Sequence, residues 1–125
     1  MEKLRRLPDS ELEVMLVIWN CKPPIHTGEI LQQLGDNKKG NLQMVQSYLN
    51  RLVEKGFIKC DKIGRLNHYS ALVDPEEYRA QEASSFLEKL YENSPTKLFA
   101  TLLRNNSLSA ADIAEMKKIL EESEA

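Results

Sequence analysis

Little in this chain of 125 residues suits metal, redox or covalent chemistry: it has two cysteines, Cys21 and Cys60, and two histidines, His26 and His68. Neither thiol has a partner at metal-ligand spacing, so free, buried or half-buried thiols are expected and no metal site; a redox sensor or an intermolecular disulfide is the rarer alternative. A glycine-rich phosphate loop is missing, as is a plausible nucleophile–base pair, and the carboxylates fall on helical faces where solvation is their ordinary explanation. No catalytic residue, cofactor or enzymatic activity is therefore expected. Long apolar runs are absent too. None approaches the ~18–20 residues of a membrane span, and no signal-peptide core is present, so the expectation is a soluble, cytoplasmic protein without membrane insertion.

Hydrophobic residues make up 42% of the chain, enough for a core, and the length suits one domain or two small ones. The net charge of −2 argues weakly against nucleic acid, but its distribution does not. Residues 1–73 carry 11 Lys and Arg against 8 Asp and Glu, whereas residues 74–125 carry 6 against 11. A mildly basic part followed by an acidic part suggests that the first meets phosphate and the second does not.

From Asp9 to about Asn20, Leu12, Met15, Leu16 and Trp19 form a helical stripe with Asp9 as the expected N-cap. Pro23-Pro24 ends that helix and forces an extended stretch through Ile25. Thr27 is expected to cap a short second helix, with Ile30, Leu31 and Leu34 inward, before the turn-rich, basic connector Gly35-Asp-Asn-Lys-Lys-Gly40.

The segment from Asn41 to Lys55 is the most informative. Val45, Leu49 and Leu52 repeat at i, i+4 and i+7, the one-sided stripe of a core-anchored helix. Turned away from them are Gln43, Gln46, Ser47 and Asn50, with Met44 and Arg51 at the edges. A merely solvated face would carry mostly Glu and Lys. Amides, a hydroxyl and a thioether are instead what reading base edges requires, since Gln and Asn offer a donor and an acceptor together. Asn41 is placed to cap this helix and Gly56 to end it. Two β-prone runs follow, Phe57–Lys62 and Asn67–Val73, joined through Ile63-Gly64-Arg65-Leu66 as a hairpin. Three helices and a hairpin predict a winged helix-turn-helix with the third helix as reader.

Asp74-Pro-Glu-Glu77 starts the next helix with a cap, a proline at its first position and a capping box. Further starts at Ser94-Pro95 and Ser109–Asp112 give three short helices in all. Their stripes are Phe86, Leu87, Leu90 and Tyr91; Leu98, Phe99, Leu102 and Leu103; and Ile113, Met116, Ile119 and Leu120. About 50 residues in such helices bury too little apolar surface to stand alone. All of these except Ile119 form the expected dimerisation set. The fold class is thus mainly α (α+β), with a winged-helix DNA-binding domain over residues 1–73 and a helical dimerisation domain over 74–125.

The chain resembles the penicillinase-repressor family of bacterial regulators (BlaI/MecI/CopY type). The matching residues are Leu12-Glu-Val-Met15 with Ile18-Trp19, Glu29-Ile30, Val45-x-x-Tyr-Leu-Asn-Arg-Leu-Val-Glu-Lys-Gly56, Gly64-Arg65 with Tyr69, Leu72-Val73, Glu77-Tyr78, Ser85-Phe86-Leu87 and Leu108-Ser109 with Ile113. The resemblance implies a homodimeric transcriptional repressor on a pseudo-palindromic double-stranded DNA operator. In β-lactam-responsive members it implies a link to β-lactam or cell-envelope stress, with a membrane sensor-transducer or its protease as partner and cleavage in the dimerisation domain. This chain departs from the pattern in three ways. The copper branch's C-terminal cysteines are missing; Thr101-Leu102 stands where β-lactam-responsive relatives have the cleaved Asn-Phe pair; and Gln43, Met44 and Gln46 replace residues that are often Lys or Thr.

The expected DNA contacts are Gln43, Met44, Gln46 and Ser47 at base edges, Gln to adenine and Met44 to a thymine methyl, with Asn50 on the same DNA-binding face. Asn41 or its helix N-terminus, Thr27, Lys38, Lys39 and Arg51 are candidates for phosphate, and Lys62 and Arg65 for the backbone or minor groove at the wing tip. Tyr48 and Trp19 read as core. The rival reading is a winged helix that binds protein without specific DNA binding.

Overall fold

The computed structural model describes residues 4–35 and 41–124, so the expected contacts Lys38 and Lys39 lie outside the described residues. The chain forms two compact units, Met1–Glu82 and Ala83–Ala125. The first holds α1 (Asp9–Trp19), β1 (Ile25–His26), α2 (Thr27–Leu34), α3 (Leu42–Glu54), β2 (Ile58–Ile63) and β3 (Leu66–Ala71). It also holds the first turns of α4 (Pro75–Leu90), whose remainder belongs to the second unit with α5 (Pro95–Arg104) and α6 (Ala110–Ser123).

The core of the first unit is built from Val14, Met15 and Ile18 of α1, Ile30 of α2, Val45, Leu49 and Leu52 of α3, and Phe57, Ile58 and Tyr69 around the sheet. In α3 the buried residues are the expected stripe. In α1 they are not. The buried face is Glu11, Val14, Met15 and Ile18, while Leu16 is 41% exposed and Leu12 and Trp19 only partly covered. The helix is rotated because Glu11 is an inward residue: its Oε1 accepts from Lys55 Nζ at 2.5 Å, so the carboxylate enters the interior with its partner. Trp19 earns its partial burial at the edge, where Nε1 donates to the Val73 carbonyl at 2.8 Å.

The caps differ from expectation in two places. Pro8, not Asp9, is the N-cap of α1, its carbonyl accepting from Leu12 N–H at 2.9 Å, and Asp9 sits inside the first turn where a negative charge suits the dipole. His26, not Thr27, caps α2, with Nδ1 accepting from Gly28 N–H at 3.1 Å. Gly28 fits that cap closely, since a Cβ there would stand 3.0 Å from His26 Cε1.

The end of α3 follows the expected glycine stop. Gly56 has φ +80, its N–H donates to Val53 O, and Phe57 N–H donates to Leu52 O, both at 3.0 Å. This is a Schellman closure with Leu52 and Phe57 buried beside it. It reverses the chain directly into β2. Strands β2 and β3 pair antiparallel from Ile58↔Ala71 to Ile63↔Leu66, leaving Gly64-Arg65 as a two-residue turn, tighter than the four-residue connection expected. Gly64 has φ +66 and takes the first turn position, which favours glycine in a II′ hairpin. A third strand, not anticipated, completes the sheet: β1 pairs with β3 through Ile25↔Tyr69 and His26↔His68, giving the order β1-β3-β2.

The first compact unit runs to Glu82 and so includes the start of α4. Tyr78 is buried against Trp19 and Phe57, and its hydroxyl accepts from Leu7 N–H at 2.9 Å. Gln81 bonds the Leu4 backbone in both directions, and Arg6 reaches Glu82 at 3.5 Å. These contacts tie the first two turns of α4 to the first core. The cap of α4 is Asp74, which accepts from Glu76 N–H at 3.1 Å, at the second helical position rather than at Glu77.

In the second unit the starts form as expected. Ser94 accepts from Lys97 N–H ahead of Pro95, and Ser109 and Asp112 exchange both bonds of a capping box. Among the described residues of this unit none is buried, and Phe86, Leu90, Phe99, Leu103, Ile119 and Leu120 are exposed.

Candidate nucleic-acid interface

Anchored by three fully buried residues and a glycine closure, α3 presents its other side to solvent. Gln43, Met44, Asn50 and Arg51 are exposed, and Ser47 is half-buried. No acidic residue occupies its first turn, and Asn41 stands at the N-cap without a side-chain hydrogen bond to the helix. The first N–H groups of α3 are thus not satisfied by their own cap, which is the arrangement that receives an anion. Leu42, exposed at the first position, adds an apolar surface near Met44 that the sequence did not single out.

Gln46 behaves differently from Gln43. It is half-buried on the flank facing β3, and its Nε2 donates to Asn50 Oδ1 at 3.1 Å and to the Tyr69 hydroxyl at 3.2 Å. Both amide hydrogens are used inside the protein, which leaves its carbonyl oxygen as the group without a partner among the described residues. A two-bond match of Gln46 to adenine, as expected from sequence, needs an outward donor that this arrangement has already committed. Gln43 carries no such commitment among the described residues. Tyr69 is the residue that sequence reasoning missed. It reads as an ordinary strand aromatic, and only the sheet register brings it beneath α3.

The wing extends from the same unit. Lys62 and Arg65 are exposed and form no ion pair among the described residues, while Lys59 is paired with Asp61 at 3.5 Å. Ile63 and Leu66, cross-strand partners at the tip, are 52% and 54% exposed and flank Arg65 with apolar surface. Thr27, at the first position of α2, is half-buried. Tyr48 packs against the core, as its place in the sequence suggested.

His26 and His68 face each other across β1 and β3 with ring centroids 5.8 Å apart, but no group of three metal-ligating side chains exists among the described residues. Both cysteines are free, Cys60 exposed on β2 and Cys21 half-buried. No helix among the described residues is long and apolar enough to cross a membrane. In the second unit, Phe99 of α5 and Ile113, Met116, Ile119 and Leu120 of α6 line an apolar groove of about 560 Å³. Thr101 and Leu102 lie within α5, both half-buried, and the Thr101 hydroxyl donates to the Lys97 carbonyl at 3.1 Å.

Three helices with an exposed third, closed by a short sheet whose hairpin projects as a wing, make the first unit a winged helix-turn-helix, the class in which a helix enters the major groove. The chain is similar to the solution structure of the DNA-binding domain of the repressor BlaI, with a TM-score of 0.53 and 35% identity over 62% of this chain and 94% of that one. It is likewise similar to the Bacillus licheniformis BlaI monomer solved in complex with the blaP half-operator, with a TM-score of 0.51 and 35% identity over 62% of this chain and 94% of that one. Its sequence is 34% identical to the penicillinase repressor of Bacillus licheniformis over 122 residues, 98% of this chain and 94% of that protein. It is 25% identical to the methicillin resistance regulatory protein MecI of Staphylococcus aureus over 118 residues, 94% and 95% of the two chains. The penicillinase repressor family model matches residues 7–122, and the chain belongs to that family.

Proposed function

We propose that this protein is a sequence-specific DNA-binding transcriptional repressor that acts as a homodimer on a two-fold symmetric operator, with no catalytic role of its own. The observation that carries the reading is the outer side of α3. Gln43, Met44, Ser47 and Asn50 sit on a helix held rigidly by Val45, Leu49 and Leu52, next to a wing whose Lys62 and Arg65 form no ion pair among the described residues. Exposed amides and a thioether address base edges, and these exposed cations with the N-terminus of α3 address phosphates. Lys38 and Lys39 lie in the connector that leads into α3, and Arg51 is on the helix itself, so both belong to the same phosphate-binding set. The relatives named as repressors, and the neighbour solved with a half-operator, support the same function for this chain.

Homodimerisation rests on the second unit. Its helices leave Phe86, Leu90, Phe99, Leu103 and Leu120 exposed, more apolar surface than a solvated module keeps without a partner. An isologous pairing of these faces sets two reading helices at a two-fold related spacing, which matches a pseudo-palindrome. Release by proteolysis at Thr101-Leu102 would require α5 to open locally, since both residues are helical and half-buried.

The test is selection of duplexes from a randomised pool by the full chain, followed by titration of the enriched duplex and a scrambled one at several salt concentrations. The expected result is a symmetric enriched sequence and a log K that falls linearly with log salt. Arg65→Ala lowers the magnitude of that slope by about 0.9, one phosphate contact. Binding without enrichment and without salt dependence would favour a protein-interaction module instead.

A further inference from the structure

The reading face of α3 is coupled to the middle strand of the sheet through a single hydroxyl. Tyr69 pairs with Ile25 of β1 on one side and Cys60 of β2 on the other, so its backbone is held from both edges, and its side chain is 1% exposed. From that fixed position the hydroxyl lies 3.2 Å from Gln46 Nε2, while the same nitrogen stands 3.1 Å from Asn50 Oδ1 one turn further along α3. A buried phenol needs a hydrogen-bond partner, and among the described residues Gln46 is the side chain that bonds it. Glutamine loses more rotamer freedom on ordering than most side chains, and a side chain ordered before DNA arrives avoids that cost on binding.

We propose that Tyr69 is a positioning residue for sequence recognition: its hydroxyl holds the Gln46 amide, and through it the Asn50 amide, in the orientation that reads the operator. This rests on the DNA-reading role given to α3 above. The wing's central strand then contributes to specificity without touching a base. Tyr69 sets how Gln46 and Asn50 point, and the hydroxyl is the only atom needed for it, because the ring's packing is independent of that bond.

The experiment is a double-mutant cycle with Tyr69→Phe, Gln46→Ala and the double variant, each as the full chain. Each is titrated on the duplex enriched by the wild-type protein and on a scrambled duplex, with thermal midpoints measured alongside. Tyr69→Phe should weaken binding to the enriched duplex about 3- to 10-fold, the loss of one modest hydrogen bond, and leave the scrambled duplex unchanged. The double variant should bind as Gln46→Ala does, because without the amide the hydroxyl has nothing to orient. Repeating the selection with Tyr69→Phe should relax the preference at one base pair of each half-site. Equal losses on both duplexes, or a Tyr69→Phe loss that persists undiminished without Gln46, would overturn the proposal and reduce Tyr69 to a structural residue. If Tyr69→Phe lowered the thermal midpoint to the assay temperature, the same cycle is run well below that midpoint, where the folded protein is titrated and the same two outcomes decide. Failure of the wild type to enrich any sequence would remove the reading role of α3 itself, an outcome distinct from a wild type that selects DNA without help from Tyr69.

Discussion

Lys55→Met tests whether α3 is fastened to the core by charge. Lys55 is the C-cap of α3, and its amine meets Glu11 Oε1 with side chains 12% and 3% exposed, so the pair joins the end of α3 to the first turn of α1. The two ends are unequal. Removing the amine strands a carboxylate that cannot reach water, and breaking a buried pair from that side costs ~3–5 kcal/mol. The place of Glu11 in the first turn of α1 offsets part of this through the helix dipole, so about 3 kcal/mol is expected. Glu11→Gln should cost only about 1 kcal/mol, because the lysine stem can turn its amine to solvent or keep a bond to the amide. Glu11→Leu with Lys55→Met, an apolar pair of similar volume, should return to wild-type stability or exceed it. Urea unfolding of the four chains at neutral pH measures all three values. A Lys55→Met loss below about 1 kcal/mol, or an apolar pair less stable than Lys55→Met alone, would refute the reasoning.

The remaining expectations concern how the units are built. Tyr78→Phe leaves the Leu7 N–H without its buried acceptor and should cost about 1–3 kcal/mol in urea unfolding, whereas a loss within error would mean that the bond at 2.9 Å is not formed in solution. A chain ending at Glu82 should fold as a monomer in sedimentation, and persistence of a dimer would exclude residues 83–125 as the dimerisation element. A chain ending at Val73 should be less stable by ~3–5 kcal/mol than one ending at Glu82, because it also loses the buried Tyr78 ring. Asp112 is held below the ordinary carboxyl value of 3.8 by the Ser109 backbone and hydroxyl bonds of its capping box. Its contribution is therefore present above the ordinary value and lost as pH falls through the depressed one. Ser109 amide protection should weaken only below that value, and Asp112→Ala should remove the pH dependence.

What could be read from the sequence was the structure that neighbours in the chain determine. The closure of α3 at Gly56, the hairpin around Gly64, and the caps at Ser94 and Ser109 are all made by residues within a few positions of one another, and each formed. The buried face of α3 was legible for the same reason, since three aliphatic residues at helical spacing leave one orientation. The misreadings share a different cause. Glu11 turned α1 inward because its partner Lys55 lies 44 residues away, and no periodicity within α1 records that. A strand of two residues has no alternation to detect, so β1 was visible only as the extended stretch that Pro23-Pro24 impose. The helix start at Asp74-Pro75 is local and legible, whereas the bonds by which Tyr78 and Gln81 keep the first turns of α4 on the first core join residues 71 and 77 positions apart.

The reading face joins both cases. That α3 exposes amides instead of lysines and glutamates is a local fact, and the sequence displays it. Which atoms those amides offer is not local. Gln46 and Gln43 are indistinguishable by residue type and both point away from the stripe, yet among the described residues Gln43 has no hydrogen-bond partner while Gln46 is engaged by a hydroxyl 23 residues further along the chain. A side chain already bonded to the protein presents fewer groups to DNA but presents them in a defined direction, and recognition depends on that direction more than on the count of donors. On the reading proposed above, the recognition code of α3 is a property of the helix and sheet together, and Tyr69→Phe in β3 should alter operator preference.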